Sequence, residues 1–133
     1  MRFLVRIILI AGLAYLVSRY LPWWGTAIVG FAVGFLMSQG KKKRLFARKP
    51  KPSFSFIAGF LAVALLWGLM AWWMDSQNGS QLSMRIAELL LQQSPPPPSA
   101  SLQIVGITAL IGGLVGGFST MTGNLLGEAI KSS

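Results

Sequence analysis

The chain has 133 residues, of which 53% are hydrophobic and only 11% are charged. A water-soluble domain of this size would need many more charged side chains to cover its surface, so this composition is typical of a membrane protein. The chain contains neither cysteine nor histidine. This excludes disulfides, thiolate chemistry, metal sites built on these two ligands, and acid–base catalysis by histidine.

The first apolar segment covers residues 1–20 and predicts a helix that spans the membrane. Twenty helical residues extend about 30 Å, which matches the hydrocarbon core of a bilayer. Arg6 lies inside this segment, so its long side chain is expected to extend toward the nearer interface. A cleaved signal peptide is the alternative, but no small-residue cleavage site follows the apolar core, and a second apolar segment begins almost at once.

A short turn, LPWWG at residues 21–25, separates the first segment from the next. Pro22 disfavours helical backbone in the residue before it. Trp23 and Trp24 are typical of the headgroup level of a bilayer. The second span is predicted at residues 24–39, so it would return beside the first span as a hairpin.

A predicted loop at residues 40–53 holds seven of the twelve basic residues of the chain. Short cytoplasmic loops collect Lys and Arg, so this segment is interpreted as a topology signal rather than as a nucleic-acid site. We expect it to contact anionic lipids or an acidic partner at the cytoplasmic face, and we expect no nucleic-acid partner. The basic residues are Lys41, Lys42, Lys43, Arg44, Arg48, Lys49 and Lys51.

The third span is predicted at residues 54–74 and the fourth at residues 102–126. With the basic loop in the cytoplasm, both chain termini also lie there, and only Arg19 and Arg85 fall on the outer side. The sequence therefore predicts an all-α membrane protein with four transmembrane helices in two hairpins. A multi-pass location in a bacterial cytoplasmic membrane is expected.

The outer segment between the third and fourth spans predicts a short amphipathic helix at residues 80–93, with Ser80 as its candidate N-cap. This helix would lie in the outer membrane interface or dock onto a partner protein, and both interpretations stay open. The four prolines at residues 95–98 predict a stiff polyproline strut. The apolar face of the helix consists of Leu82, Ile86, Leu89 and Leu90.

The fourth span contains six glycines within residues 112–127. In lipid, helices associate through close packing, which small residues allow. The glycines form two neighbouring rows, so we expect two smooth faces, one against the chain's own bundle and one against another subunit. The alternative is that both rows pack only against helices of the same chain. The candidate helix-packing residues are Gly30, Gly34, Gly112, Gly113, Gly116, Gly117, Gly123 and Gly127.

Four polar residues lie in the inner half of the same span. The simpler interpretation is that the hydroxyl groups bond to carbonyls one turn back and that the asparagine bonds across helices. The alternative is a polar path or an ion site, which an ionisable residue would be expected to join. These residues are Ser119, Thr120, Thr122 and Asn124.

Two stretches, the LPWW turn and GGLVGGF, resemble small uncharacterised four-span proteins of the bacterial inner membrane. The resemblance implies the number of spans and no activity. The GGFST stretch also resembles the glycine-and-threonine motif of the small four-span fluoride channels. In those channels the motif belongs to the third span, so their activity is not carried over to this chain.

No enzyme activity and no cofactor are expected. The three carboxylates, those of Asp75, Glu88 and Glu128, lie in a loop, at an interface or near a terminus, and no nucleophile–base pair accompanies them. The favoured function is a non-catalytic membrane subunit that packs through its glycine-rich faces against larger membrane proteins and helps assemble or stabilise a complex. The alternative is a homo-oligomeric small channel, transporter or holin-like pore.

Overall fold

A computed structural model describes residues 2–39 and 51–133, so most of the basic loop lies outside the described residues. The described part of the chain forms five α-helices and contains no β-strand, which confirms the all-α class there. The helices are α1 (Arg2–Ser18), α2 (Gly25–Gln39), α3 (Pro52–Gln77), α4 (Gln81–Leu91) and α5 (Ala100–Ser132).

Two of these helices are long and apolar enough to cross a membrane. α3 has 26 residues and α5 has 33, whereas a span needs about 20. α1 and α2 are apolar but shorter, with 17 and 15 residues. Two of the four predicted spans therefore meet the length requirement. A pass by α1 or α2 would need local thinning of the bilayer or flanking side chains that extend to the interface.

The two long helices extend beyond their predicted ends. α3 begins at Pro52, a favoured first helical residue because its missing N–H would have had no partner there. It continues to Gln77 and ends where Gly79 and Ser80 take left-handed backbone conformations, with φ of 59° and 60°. α5 continues to Ser132 because the residues after Gly127 are good helix formers and include no proline.

α5 packs against three of the other described helices, α2, α3 and α4. The residue numbers at the contacts between α2 and α5 increase in the same direction along both helices. Gly30 of α2 lies beside Thr120 of α5, and Ser38 of α2 lies beside Gly127 of α5. These two helices are therefore parallel neighbours.

α3 and α5 run in opposite directions. Gly68 near the end of α3 lies beside Ala109 near the start of α5, and Gly59 lies beside Gly116 further along. α1 packs against α2 and α3. The four helices other than α4 are thus arranged in the cyclic order α1, α2, α5, α3.

One end of this bundle collects the start of α1, the end of α2, the start of α3 and the end of α5. We call it the basic end, and Phe3, Ser38, Phe54 and Lys131 define it. The rings of Phe3 and Phe54 lie edge to face with centroids 6.1 Å apart, and Lys131 contacts Ser38. Gln39, which precedes the predicted basic loop, and Lys51, which is one of the basic residues of that loop, belong to this end.

α4 lies at the opposite end and turns its apolar face away from the bundle. It packs against α3 and α5 through the small residues Ser83 and Ala87, which are buried. The predicted apolar face is left exposed. Leu89, for example, keeps 79% of its surface. This arrangement leaves the face available to a membrane interface or to another protein.

Substitution of a glycine at a helix contact should destabilise the protein, whereas the same substitution at an open position should not. A methyl group at Gly123 of α5 would overlap the backbone carbonyl of Phe31, but at Gly106 of α5 it would meet no described atom within 4 Å. We expect Gly123→Ala to lower the free energy of unfolding by about 1 to 3 kcal/mol. Gly106→Ala should stay within about 1 kcal/mol of the unchanged chain.

The measurement is thermal unfolding in detergent micelles, monitored by the circular dichroism signal of the helices. The two variants form a matched pair because they add the same methyl group to the same helix. Equal unfolding midpoints for the two variants would show that the close contact between α2 and α5 does not stabilise the fold.

Candidate functional site: the glycine faces of α5 and the Asp75 cluster

The contact between α5 and α2 brings two backbones together without intervening side chains. A Cβ atom at Gly34 would overlap the carbonyl oxygen of Thr120, and one at Gly123 would overlap the carbonyl oxygen of Phe31. Only glycine fits such a crossing, because its Cα–H groups approach the facing carbonyl oxygens directly. These glycines therefore set the distance between α2 and α5.

The contact between α5 and α3 has a second close crossing, at Gly116. A Cβ atom there would lie 2.5 Å from the carbonyl oxygen of Gly59 and would overlap the side chain of Val63. Gly59 is a contact residue that the sequence analysis missed. The sequence pattern that indicates this contact is the pair of small residues Ser55 and Gly59 at a spacing of four, which is typical of packed membrane helices.

The second glycine row of α5 receives aromatic rings from α3. Added Cβ atoms at Gly113 and Gly117 would lie 2.8 Å from the rings of Phe60 and Phe56, respectively. The ring of Phe56 also meets Phe118 edge to face, with centroids 5.2 Å apart. The rings of α3 thus lie flat against stretches of α5 that have no side chains.

All eight glycines predicted to mediate helix packing are buried in this structure. The row that includes Gly116, Gly123 and Gly127 faces α2 and α3, and the row with Gly113 and Gly117 faces rings of α3. Both rows of α5 are therefore covered by helices of the same chain. A second subunit is not needed to cover either of them.

The four polar residues of α5 do not share one face. Thr120 and Asn124 are fully buried, one turn apart, whereas Thr122 is exposed and Ser119 is half-buried. The hydroxyl of Thr120 donates to the carbonyl of Gly116 at 2.8 Å, and that of Thr122 donates to the carbonyl of Phe118 at 2.7 Å. Both bonds run back along the helix by one turn, which satisfies the hydroxyl groups in an apolar setting.

At the basic end, α2 and α5 each donate a side-chain hydrogen bond to a carbonyl of the other helix. The ammonium group of Lys131 donates to the carbonyl of Ser38 at 2.8 Å, and the amide of Gln39 donates to the carbonyl of Gly127 at 3.3 Å. Parallel helices bring two negative dipole ends together, so a cation at this position is stabilising. Lys51 is exposed at the same end, and the other six predicted lipid-contacting basic residues lie outside the described ranges.

Arg6 is buried within the bundle, with only 8% of its surface exposed. From the sequence, this side chain is expected to extend toward the interface instead. Burial of a guanidinium group among helices is costly unless polar groups surround it. Its position on α1, one turn after Phe3, places it near the basic end.

A polar cluster at the opposite end joins α3, α4 and α5 through one carboxylate. Asp75 lies one residue beyond the predicted third span, and its carboxylate accepts hydrogen bonds from Ser83 and Ser101. It accepts a third from Ser80, at 2.8 Å. We call these four residues the Asp75 cluster. It fixes α4 against the ends of two long helices.

Hydrogen bonding controls the charge state of this carboxylate. The hydroxyl of Ser101, followed by that of Ser83, holds the pKa of Asp75 below its ordinary value of 3.8. Partial burial acts in the opposite direction, and the hydroxyl of Ser80 adds a smaller lowering effect. Because hydrogen bonds to the ionised form outweigh burial, Asp75 is a carboxylate at neutral pH.

Ser80 precedes α4 as expected but does not cap it. Its side chain makes no capping bond to the helix, and its hydroxyl donates to Asp75 instead. The left-handed backbone at this residue turns the side chain back toward α3. The sequence predicts Asp75 in a polar loop, and no local pattern in it connects this residue with the three serines.

Comparisons of this chain with known protein families, with curated proteins and with solved structures find no match.

Acid should release α4 only below the ordinary pKa of aspartate. The folded pKa of Asp75 is lowered, so its contribution to stability is complete above pH 3.8 and is lost as the pH falls through the lowered value. Asp75→Ala should release α4 at every pH and raise the amide exchange of residues 81–91 by about tenfold.

The measurement is hydrogen–deuterium exchange with peptide mass spectrometry, corrected for the intrinsic exchange rate at each pH. Ser76→Ala is the control, because its hydroxyl is exposed and bonds only to the carbonyl of Trp73. Release of α4 in the unchanged protein near pH 6 would contradict the role given to the carboxylate.

Proposed function

We propose that this protein is a four-span protein of a bacterial cytoplasmic membrane with both termini in the cytoplasm. The long apolar helices α3 and α5 support the membrane location. The contacts of Phe3, Phe54 and Lys131 support a common side for both termini and for the flanks of the basic loop. The positive-inside rule then assigns the basic end to the cytoplasm and α4 to the outer side.

The proposed function is that of a non-catalytic subunit that packs against larger membrane proteins and helps assemble or stabilise a complex. The supporting observation is that α5 uses its glycines within the chain and still leaves a continuous apolar face uncovered. Leu110, Leu114 and Phe118 on this face are all exposed. Gly106 extends the face toward the outer end and has open space around it. At Gly106 another helix can approach this face closely, because no side chain intervenes there.

The glycine rows serve this function indirectly. Because α2 and α3 lie close to α5, the bundle holds α5 in one orientation. The same face of α5 therefore always remains uncovered on the outside of the bundle. The contact with a larger protein is therefore assigned to the exposed face of α5 rather than to its glycine rows. In this respect the proposal differs from the interface expected from the sequence.

The alternative is a homo-oligomeric channel, transporter or holin-like pore. A water-filled path needs polar groups that face it. Thr120 and Asn124 are the two polar residues of α5 that are fully buried. Thr120 also uses its hydroxyl on its own helix. The geometry therefore favours the accessory subunit over the pore.

The basic loop is assigned a supporting role at the cytoplasmic face. Anionic headgroups attract Lys and Arg near the membrane surface, each by about 1 kcal/mol. Seven basic residues within a short segment would anchor the basic end to the inner leaflet or to an acidic partner. This contact involves charge rather than shape, so it should weaken as salt is raised.

When the protein is extracted from native membranes in a mild detergent, larger membrane proteins should co-purify with it in stoichiometric amounts. Gly106→Leu should reduce this co-purification severalfold without lowering the unfolding midpoint, because an added Cβ there meets no described atom within 4 Å. Gly12→Leu on α1 is the matched control, since this glycine also has no described atom within 4 Å of an added Cβ. The measurement is native-gel sizing with mass spectrometry of the recovered proteins.

Three other outcomes would count against this proposal. Recovery of a pure homo-oligomer would favour the pore. Recovery of a monomer would contradict both the accessory-subunit function and the pore. Equal recovery of partners with Gly106→Leu and with the unchanged chain would show that the exposed face of α5 is not the contact.

A further inference from the structure

α1 and α3 separate toward the outer end of the bundle and leave a cleft of about 620 Å³ between them. At the basic end the two helices are joined by the rings of Phe3 and Phe54. α1 ends at Ser18, whereas α3 continues to Gln77 and extends past the end of α1. The cleft volume falls within the range of roughly 300 to 1,000 Å³ that is common for ligand pockets.

The cleft has apolar walls and a single cation. Arg19 is the only charged residue that lines it. Aromatic residues with polar groups, Tyr15 and Trp73, lie near this cation, as is common at the headgroup level of a bilayer. The remaining wall is formed by the apolar α3 residues Leu66, Leu69, Met70 and Met74.

The carboxylates of the chain do not neutralise Arg19. α1 contacts only α2 and α3 among the described helices, which places Glu88 on α4 and Glu128 on α5 away from it. Asp75 is the nearest acid along α3, and its carboxylate is occupied by three serine hydroxyls on the side of α4 and α5. The cleft therefore combines an apolar groove with an available guanidinium group at the outer end.

We propose that this cleft binds one anionic phospholipid. The phosphate lies against the guanidinium group of Arg19, which matches phosphate oxygens with two parallel hydrogen bonds. One acyl chain follows the groove along Leu66, Leu69 and Met70. Tyr15 and Trp73 lie beside the headgroup. The inference rests on the membrane location proposed above.

A lipid fits this cleft better than a helix of another protein. A helix seated here would remove Arg19 from water and would have to supply an acid at the same depth, because an isolated buried cation is costly. A phospholipid brings its own negative charge at the headgroup level and an apolar chain below it. Its two parts match the two parts of the cleft in the same order along α3.

The test is native mass spectrometry of the full chain in detergent, titrated with phosphatidylglycerol or with phosphatidylcholine. We expect the first bound lipid to be phosphatidylglycerol, with a preference that falls by about tenfold in Arg19→Gln. Arg85→Gln is the matched control, since it removes the other outer cation, which lies on α4 away from the cleft. Leu69→Trp, which adds bulk to the groove, should reduce the binding of both lipids while Arg19 remains.

The basic loop also attracts anionic lipid, but every variant carries it, so its contribution cancels in the comparison. Equal loss of preference in Arg19→Gln and Arg85→Gln would overturn the site, as would an unchanged preference in Arg19→Gln. The result is independent of the subunit proposal, because the titration contains no other protein. Failure to recover partner proteins would leave the lipid site standing, and loss of the lipid site would leave the subunit proposal standing.

Discussion

The structure depends on the direct contact of one helix backbone with two others. α5 crosses α2 at Gly34 and Gly123 and crosses α3 at Gly59 and Gly116, where no Cβ atom would fit. In an apolar solvent, helices gain little by burying large side chains, so close packing must supply the attraction. The glycines provide it by removing side chains from the points of contact. This constraint explains why the glycines of α5 lie where it meets α2 and α3, while larger side chains occupy its uncovered face.

The other features of the chain follow from this arrangement. Because α2 and α5 are parallel, their C-terminal dipoles meet, and Lys131 offsets the accumulated negative charge by binding Ser38. Because α3 and α5 are antiparallel, their outer ends are adjacent, and the Asp75 cluster can bind both of them together with α4. The surface that remains is apolar around the bundle and carries separate positive charges at its two ends. A membrane subunit with lipid and protein neighbours is consistent with this distribution.

The sequence allowed the helices and their order to be predicted because apolar runs and turn residues are local signals. The glycine positions were also readable, since small residues at spacings of four predict close contacts. The helices that contact these glycines could not be predicted, because two glycine rows on one helix do not specify whether the neighbouring helix belongs to the same chain. The Asp75 cluster could not be predicted either. Its serines come from the turn before α4, from α4 and from α5, and their meeting depends on the left-handed turn at Ser80 and on the packing of α5.

The central claim is that the glycine contacts of α5 form within a single chain, and nuclear magnetic resonance in micelles tests it most directly. A sample that mixes two differently labelled populations of the chain distinguishes contacts within a molecule from contacts between molecules. The account predicts nuclear Overhauser effects between the α protons of Gly59 and Gly116, and between Gly34 and Thr120, within one molecule. The same effects observed only between differently labelled molecules would place the glycines at a subunit interface and contradict the account.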